Sequence, residues 1–504
     1  MSHVIGIDIG TSGVKVAAMN KEGVWGYLEY HPYSLLFPRD GWVEIDVNEV
    51  WEIVKNNLVK VWKRVEAEGS VDAISLSSFC NSSVFMDSDG NALYNGIMYL
   101  DQRSKKEAEW INSFIGKERI FEITGNRLEL GMYTVTTHLW FKNNEPNLYE
   151  KTFKWGSLST FILHKLTGEF VMDWTQASFS GLFEINNYEW SNEICERVGI
   201  SKDKLPTVCD PSLIIGNLIN TDIEGKRVPV VAGAADTACS ALALDVQPNT
   251  IFESVGTSNV LTVCTDNTLV LDNKFLNRCH VIKGRWLSHG AMSFPGAAIQ
   301  WFYERFLKPE GYQIEILNEF ANKSPIGSNG VYFLPYMQGE RSPIWDPNAR
   351  GSFVGINLNT SKEDMYRSIL EGCSFGLKQI YEIIETKYKI SPMSIQSIGG
   401  GSKNRAWSQI KANVLNKTFE HKNISETAVL GACLIAGNAI GYFSSYEEAT
   451  SVMTNETIGW VKPEEERVDA YLQLYQVHNR LYPALKTFFS QCVELNEEKM
   501  EVKC

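Results

Sequence analysis

The chain has 504 residues, a net charge of -13, and a composition that is 44% hydrophobic and 21% charged. That length exceeds one small core and fits two large domains. The acidic balance excludes a nucleic-acid or anionic-membrane surface as the main partner, while leaving room for an anionic small ligand at a locally positive site.

Met1-Ser2-His3 carries no basic leader, and the apolar run after it holds Asp8, so a signal peptide is not expected. Val4 to Gly10 reads as a strand ending in a tight turn, and Val14 to Met19 as its return, with Lys21-Glu22-Gly23 turning next. Asp46 is placed to cap a helix whose apolar positions are Val50, Trp51, Val54, Leu58, Val61 and Trp62. Ala73 to Leu76 and Ser83 to Met86 read as strands, with a turn at Asp89-Gly90, and Ser104 to Ile115 as a helix stopped by Gly116. Val228 to Ala232 suits a buried strand that runs through Gly233-Ala234-Ala235-Asp236 into a small-residue helix, Thr237 to Leu244.

Asp245 to Thr250 is polar and sets the expected boundary between domains 1–246 and 247–490, with a charged tail at 491–504. Ile251 to Cys264 repeats the opening strand-turn-strand, Gly-Thr-Ser included. This internal symmetry suggests two α/β domains of related topology facing each other. Gly399 to Asn404 is a Gly-rich turn opening a helix, Ala406 to Leu415. Ala428 to Phe443 is too short for a membrane span and contains Asn438, so it reads as a buried helix; Asn496 to Cys504 is expected to fray. Ten cysteines without C-x-x-C spacing read as reduced thiols filling cores in a cytoplasmic protein, and eight dispersed histidines show no zinc pattern.

A Gly-rich turn between strands turns several backbone N–H groups toward one point, which suits phosphate; on its own GIDIGTSG is also an ordinary hairpin. Asp8 adds weight to the phosphate reading. It alternates with Ile5, Ile7 and Ile9, and a carboxylate at that depth calls for a partner or a cation such as Mg2+, which travels with phosphates. Asp236, at the end of a buried strand, is either a plain N-cap or a general base for a hydroxyl. GGGSKN matches neither the Walker loop nor the G-x-G-x-x-G fingerprint.

In this order the segments resemble the FGGY carbohydrate kinases, from about Val4 to about Phe443. GIDIGTSGVK is similar to the family's first phosphate segment, GAADTACSAL to its catalytic-aspartate segment, and SVGTSN to its second phosphate hairpin. PGAAIQWF and GGGSKN resemble nucleotide-site segments, and Phe333 to Glu371 resembles the second family signature with its approach. The resemblance implies an α/β fold of two actin/hexokinase-like (ribonuclease H-like) domains with a cleft between them. It implies transfer of the γ-phosphoryl of ATP to a sugar hydroxyl, with Asp236 as general base and Asp8 on Mg2+. The ATP site would comprise Gly10, Thr11, Ser12, Lys15, Gly256, Thr257, Ser258, Gly296, Gln300, Gly400, Gly401, Ser402 and Asn404. The sugar site would comprise Cys80, Asn81, Tyr99, Asp101, Arg103, Tyr133 and Asp236. The partners are then a small sugar and ATP, with no nucleic acid and no membrane; a homodimer is common in the family.

Some positions depart from the family pattern. Phe79-Cys80-Asn81-Ser82 stands where xylulokinases and many gluconokinases have Met-His, His138 stands where a Lys is frequent, and GAAD replaces GGGD. The overall look is closest to xylulokinase-like members, so a ketopentose comes first as acceptor, and gluconate, another sugar acid or a polyol next. From other classes, a non-catalytic sugar or nucleotide sensor has no use for Asp8 and Asp236, and an actin-like ATPase does not explain the second signature. Asp101 with Arg103 can equally form a structural ion pair, Cys80 can be core filler, and Trp345 reads as a core side chain beside a Glu340–Arg341 ion pair.

Overall fold

A computed structural model describes residues 1–128, 133–219, 223, 227–453 and 456–501, the last six by their backbone alone. The first strands follow the hydrophobic alternation: β1 (Ser2–Gly10), β2 (Gly13–Asn20) and β3 (Trp25–Pro32) form an antiparallel meander. Helix α1 (Val47–Glu66) begins where Asp46 accepts from the backbone N–H groups of Asn48 and Glu49. Strand β4 (Ser70–Ser78) then runs parallel to β1. Helix α2 (Lys105–Ile115) follows, and Gly116 ends it. Val84–Met86 pairs with Lys154–Gly156 outside the main sheet. Strands β5 (Ile214–Asn217) and β6 (Pro229–Ala235) complete a six-stranded sheet in the order β5-β6-β4-β1-β2-β3. Strand β6 runs three residues past Ala232, because the small Ala234 and Ala235 still pair with Ser77 and Ser78 after a register shift.

Helix α3 (Asp236–Ala243) leads to the second sheet. Here β7 (Ile251–Val255), β8 (Asn259–Thr265), β9 (Leu276–Cys279) and β10 (Trp286–Met292) are antiparallel neighbours. Helices α4 (Pro295–Phe302) and α5 (Lys362–Ile383) precede β11 (Ser394–Ile398), α6 (Arg405–Leu415) and β12 (Thr418–Lys422). With β13 (Thr457–Val461) the order is β9-β10-β8-β7-β11-β12-β13. In both sheets a hairpin's first strand is joined, in parallel, by two later strands, and an antiparallel strand closes that edge. The symmetry expected from the two Gly-Thr-Ser stretches is therefore real at the level of topology.

Helix α7 (Thr427–Ala439), almost wholly apolar, is buried against the first sheet and α3, and no described helix is long and apolar enough to cross a membrane. It lies so close to β1 and α3 that two glycines are required. A Cβ on Gly6 would sit 2.4 Å from the Val429 carbonyl oxygen, and one on Gly431 would sit 2.1 Å from that of Cys239. The outer face of the first sheet, with Ile5, Ile7 and Ile9, packs in a separate core with α1. Helix α8 (Leu481–Glu501) runs from the second half into the charged stretch that begins at 491. Its Glu and Lys residues are good helix formers.

Gly431→Ala should lower stability by about 2 kcal/mol or more, since backbone rather than a flexible side chain opposes the methyl group. An unchanged denaturant midpoint would show that this seam is not tightly packed.

Candidate active site

A cavity of about 380 Å³ lies between the sheets. The first half contributes Asp8, Gly10, Asp236, Thr237 and Ser240. From the second sheet come Phe252 and Ser254 on β7, Val260 and Thr262 on β8, Leu276 and Arg278 on β9, and His289 and Ala291 on β10. Each pair is two residues apart, so one pleated face supplies them all. Arg341, Ile398, Thr427 and Ala428 complete the lining. A cavity of similar size beside Lys117, Glu122 and Asn273 holds none of the expected residues.

Asp8 sits opposite Ser77 in the β1–β4 ladder, and the Ser77 hydroxyl donates to it at 2.8 Å. Burial pushes its carboxyl up to about 7. The neighbouring Asp236 and Glu426 charges add to this, while the Ser77 bond and Lys15 oppose it. Lys15 is ion-paired with Glu426 at 2.6 Å. In the first turn, Thr11 Oγ1 and the Tyr99 hydroxyl are 3.3 Å apart, Ser12 is exposed, and Gly10 borders the cavity.

Asp236 does not act as a plain N-cap. Ala235 occupies the cap position, while the Asp236 carboxylate accepts from the backbone N–H of Thr237 at 2.6 Å and its hydroxyl at 3.0 Å. The side chain keeps 39% of its surface exposed, enough to meet a ligand.

The expected nucleotide segments converge around the end of β7. The Gly256-Thr257-Ser258 turn is open to solvent. The start of α4 rests on it: Ala297 N–H donates to the Thr257 carbonyl, and a Cβ on Gly296 would meet the Gly256 carbonyl oxygen at 1.9 Å. Gly399 and Gly401 pack on Val255, Gly400 is exposed, and Ser402 bonds back to the Gly399 carbonyl. Two expected residues have other work. Asn404 caps α6 through Trp407 N–H and donates to the Tyr366 hydroxyl, and Gln300 pairs with Glu304 on the exposed side of α4.

Of the expected sugar residues, Cys80 is buried, its thiol pushed up to about 12 by burial, and it accepts from Arg278 Nη1 at 3.6 Å. Asn81 has a left-handed backbone at φ 64° and a buried Oδ1 without a partner among the described residues. Tyr99 packs near Phe79, and Tyr133 is buried near Phe179 with its hydroxyl 3.4 Å from Asn126 Oδ1. Asp101 and Arg103 do not line the cavity. The Arg103 guanidinium donates twice to Asp101 and once to Glu44 and lies over Trp42 and Trp140, while Asp101 also accepts from the backbone N–H groups of Arg103 and Val43. Both are thus engaged in a buried ion pair.

The environment of Trp345 also differs from the expected core. Its ring is partly exposed, donates to the Lys274 carbonyl and has the Arg127 guanidinium 4.5 Å from its centre. No Glu340–Arg341 side-chain ion pair forms among the described residues. Glu340 accepts from the backbone N–H groups of Ser293 and Arg341, whereas the Arg341 side chain donates to Ser293 Oγ. Sequence reasoning missed Arg278, His289, Thr262 and Arg341. The alternation of Leu276 to Cys279 and Trp286 to Met292 around a Lys-Gly-Arg turn is the signal that finds the first two.

Asp8 titrates near 7 in the folded protein against 3.8 for the ordinary carboxyl, so its ionisation removes stability as pH rises between those values, by on the order of a few kcal/mol. Without nucleotide, Tm should therefore fall between about pH 5 and about pH 7.5, and Asp8→Asn should flatten that fall. An equal fall in the variant would assign the dependence to another group.

Two family models match the chain: the N-terminal domain of the FGGY family of carbohydrate kinases over residues 3–243, and the C-terminal domain over 252–440. Among curated relatives, a xylulose kinase of Staphylococcus xylosus is 28% identical, covering 96% of this chain and 100% of the relative. A gluconokinase of Bacillus subtilis (strain 168) is 26% identical, covering 98% of each. The crystal structure of a xylulose kinase from Lactobacillus acidophilus superposes with a TM-score of 0.89 at 24% identity, over 97% of this chain and 100% of the other.

Proposed function

This chain belongs to the FGGY family of carbohydrate kinases and is an ATP-dependent sugar phosphotransferase; from that premise we propose that Asp236 is its general base and Asp8 its Mg2+ ligand. The observation that carries this reading is the placing of both carboxylates on one cavity, beside Gly10 of the first turn and the strands that flank the second. ATP bridges the halves. Its phosphates lie between the Gly10–Gly13 turn and the Gly256–Ser258 turn, and its adenosine runs toward Gly296 and Gly399 to Ser402. The acceptor hydroxyl attacks the γ-phosphorus, its proton passes to Asp236, and the bond to the β-phosphate oxygen breaks to release ADP. The Asp236 carboxylate is held by Thr237, so it meets the hydroxyl in a fixed orientation.

Asp8 suits a cation. It is a buried carboxylate with a second acidic group near it, and burial resists its ionisation. No group of three metal-ligating side chains occurs among the described residues, which fits an ion that arrives with phosphate oxygens. When bound, Mg2+ offsets the charge of the phosphates. Closure of the two halves on bound substrates would keep out water, the competing acceptor.

The expectation of a ketopentose draws support from the xylulose kinases among the relatives, and the gluconokinase, at 26% identity, supports a sugar acid as the second reading. Asp236→Asn should lower kcat by about 10³-fold while the Kd for ATP stays within about threefold. ADP release with sugar present, alongside equilibrium binding of ATP, checks both. A variant with near-normal kcat would remove Asp236 as the base. ATP turnover indifferent to every sugar would point instead to an ATPase, and binding without turnover to a sensor.

A further inference from the structure

We infer that the phosphoryl acceptor carries a carboxylate, and that Arg278 holds it beside Asp236. This rests on the sugar phosphotransferase reading above and narrows its substrate to a sugar acid.

Arg278 belongs to β9, at the edge of the second sheet, yet its guanidinium reaches into the first half. Nη1 donates to Cys80 Sγ at 3.6 Å, lies 3.9 Å from Asp236 Oδ1, and makes the only polar contacts of the group among the described residues. The side chain is 8% exposed, and Nε is buried without a partner. The guanidinium carbon lies 4.2 Å from the centre of the Phe179 ring. A guanidinium covered on one face by an aromatic ring offers its edge, the planar fork that matches a carboxylate in bidentate fashion.

The charge argument points the same way. A buried cation needs a compensating charge. Asp236 is the nearest carboxylate, at 3.9 Å, beyond a hydrogen bond. As general base it becomes neutral when it accepts the hydroxyl proton, so it cannot compensate Arg278 throughout the transfer. Hydroxyls of a neutral ketose supply dipoles and no charge. A carboxylate on the acceptor keeps Arg278 compensated and leaves Asp236 free to take the proton. His289 lines the same cavity, bonded through Nδ1 to Thr262 Oγ1 at 2.8 Å, with Nε2 unpartnered among the described residues. Burial and the nearby Arg278 charge hold its imidazole well below the usual range, so it is a neutral neighbour rather than a second cation.

The test is ADP release with Mg-ATP and two panels: aldonates of about four to six carbons, and ketoses and polyols of matching length. The best aldonate should exceed every neutral acceptor in kcat/KM by at least about tenfold. Arg278→Met should raise the KM for that acid by about 100-fold, move the KM of neutral acceptors by less than about threefold, and be partly rescued in Arg278→Lys. A neutral acceptor as best substrate, or an unchanged KM for the acid in Arg278→Met, would overturn the inference while leaving the kinase reading intact. No stimulated release with either panel would bring down the kinase reading and this inference together.

Discussion

The structure depends on one steric constraint: α7 lies against β1 and α3 at distances that leave no space for a Cβ at Gly6 or Gly431. Backbone contact of this kind admits little sliding, because close-packed interiors do not deform continuously. The seam fixes where the last residues of β1 stand relative to the first residues of α3, and these are Asp8 and Asp236. That placement bears on the high titration point of Asp8, which burial sets and to which the Asp236 charge adds.

The second half is held by a different device. Lys411 on α6 donates to both oxygens of Glu253 on β7, at 2.6 and 2.7 Å, with both side chains fully buried. Asn259 on β8 and Ser397 on β11 donate to the same carboxylate. Burying an ion pair carries a desolvation cost that excellent geometry only offsets, so its value here lies in what it joins. It ties together the strands on either side of the second Gly-Thr-Ser turn and the segment before Gly399. The turn itself stays open to solvent while its base is clamped. A rigid base under an exposed turn is a useful arrangement for backbone N–H groups that must not reorganise when phosphate arrives.

Much of this was legible in the sequence, and the limits have physical causes. Period-two alternation with Gly, Thr and Ser in the turns announces β1–β2 and β7–β8, since turn chemistry is local. Asp46 shows its cap because the cap bonds only to residues two and three positions on. Asp101 and Arg103 look equally suited to a sugar or to each other. What decides is Glu44, 59 residues from Arg103, with Trp42 and Trp140 around the guanidinium. Asn404 resembles a ligand residue in a Gly-rich loop, yet its oxygen caps the helix that follows. Local alternation places Arg278 on a strand but does not bring it to the cavity, because its partner Cys80 is 198 residues away and the contact exists only once the two sheets face each other.

The seam also joins distant parts of the chain, with Cys433 Sγ meeting the Ala17 carbonyl across 416 residues. During synthesis, at roughly 5–20 residues per second, the inner face of the first sheet waits on the order of 20–80 s for the helix that covers it. The early half leaves the ribosome with an apolar surface bare, in a fold whose topology makes late, long-range closure slow. That exposed interval is where chaperone dependence and aggregation during expression concentrate, and a chain cut near the middle would keep the surface bare permanently.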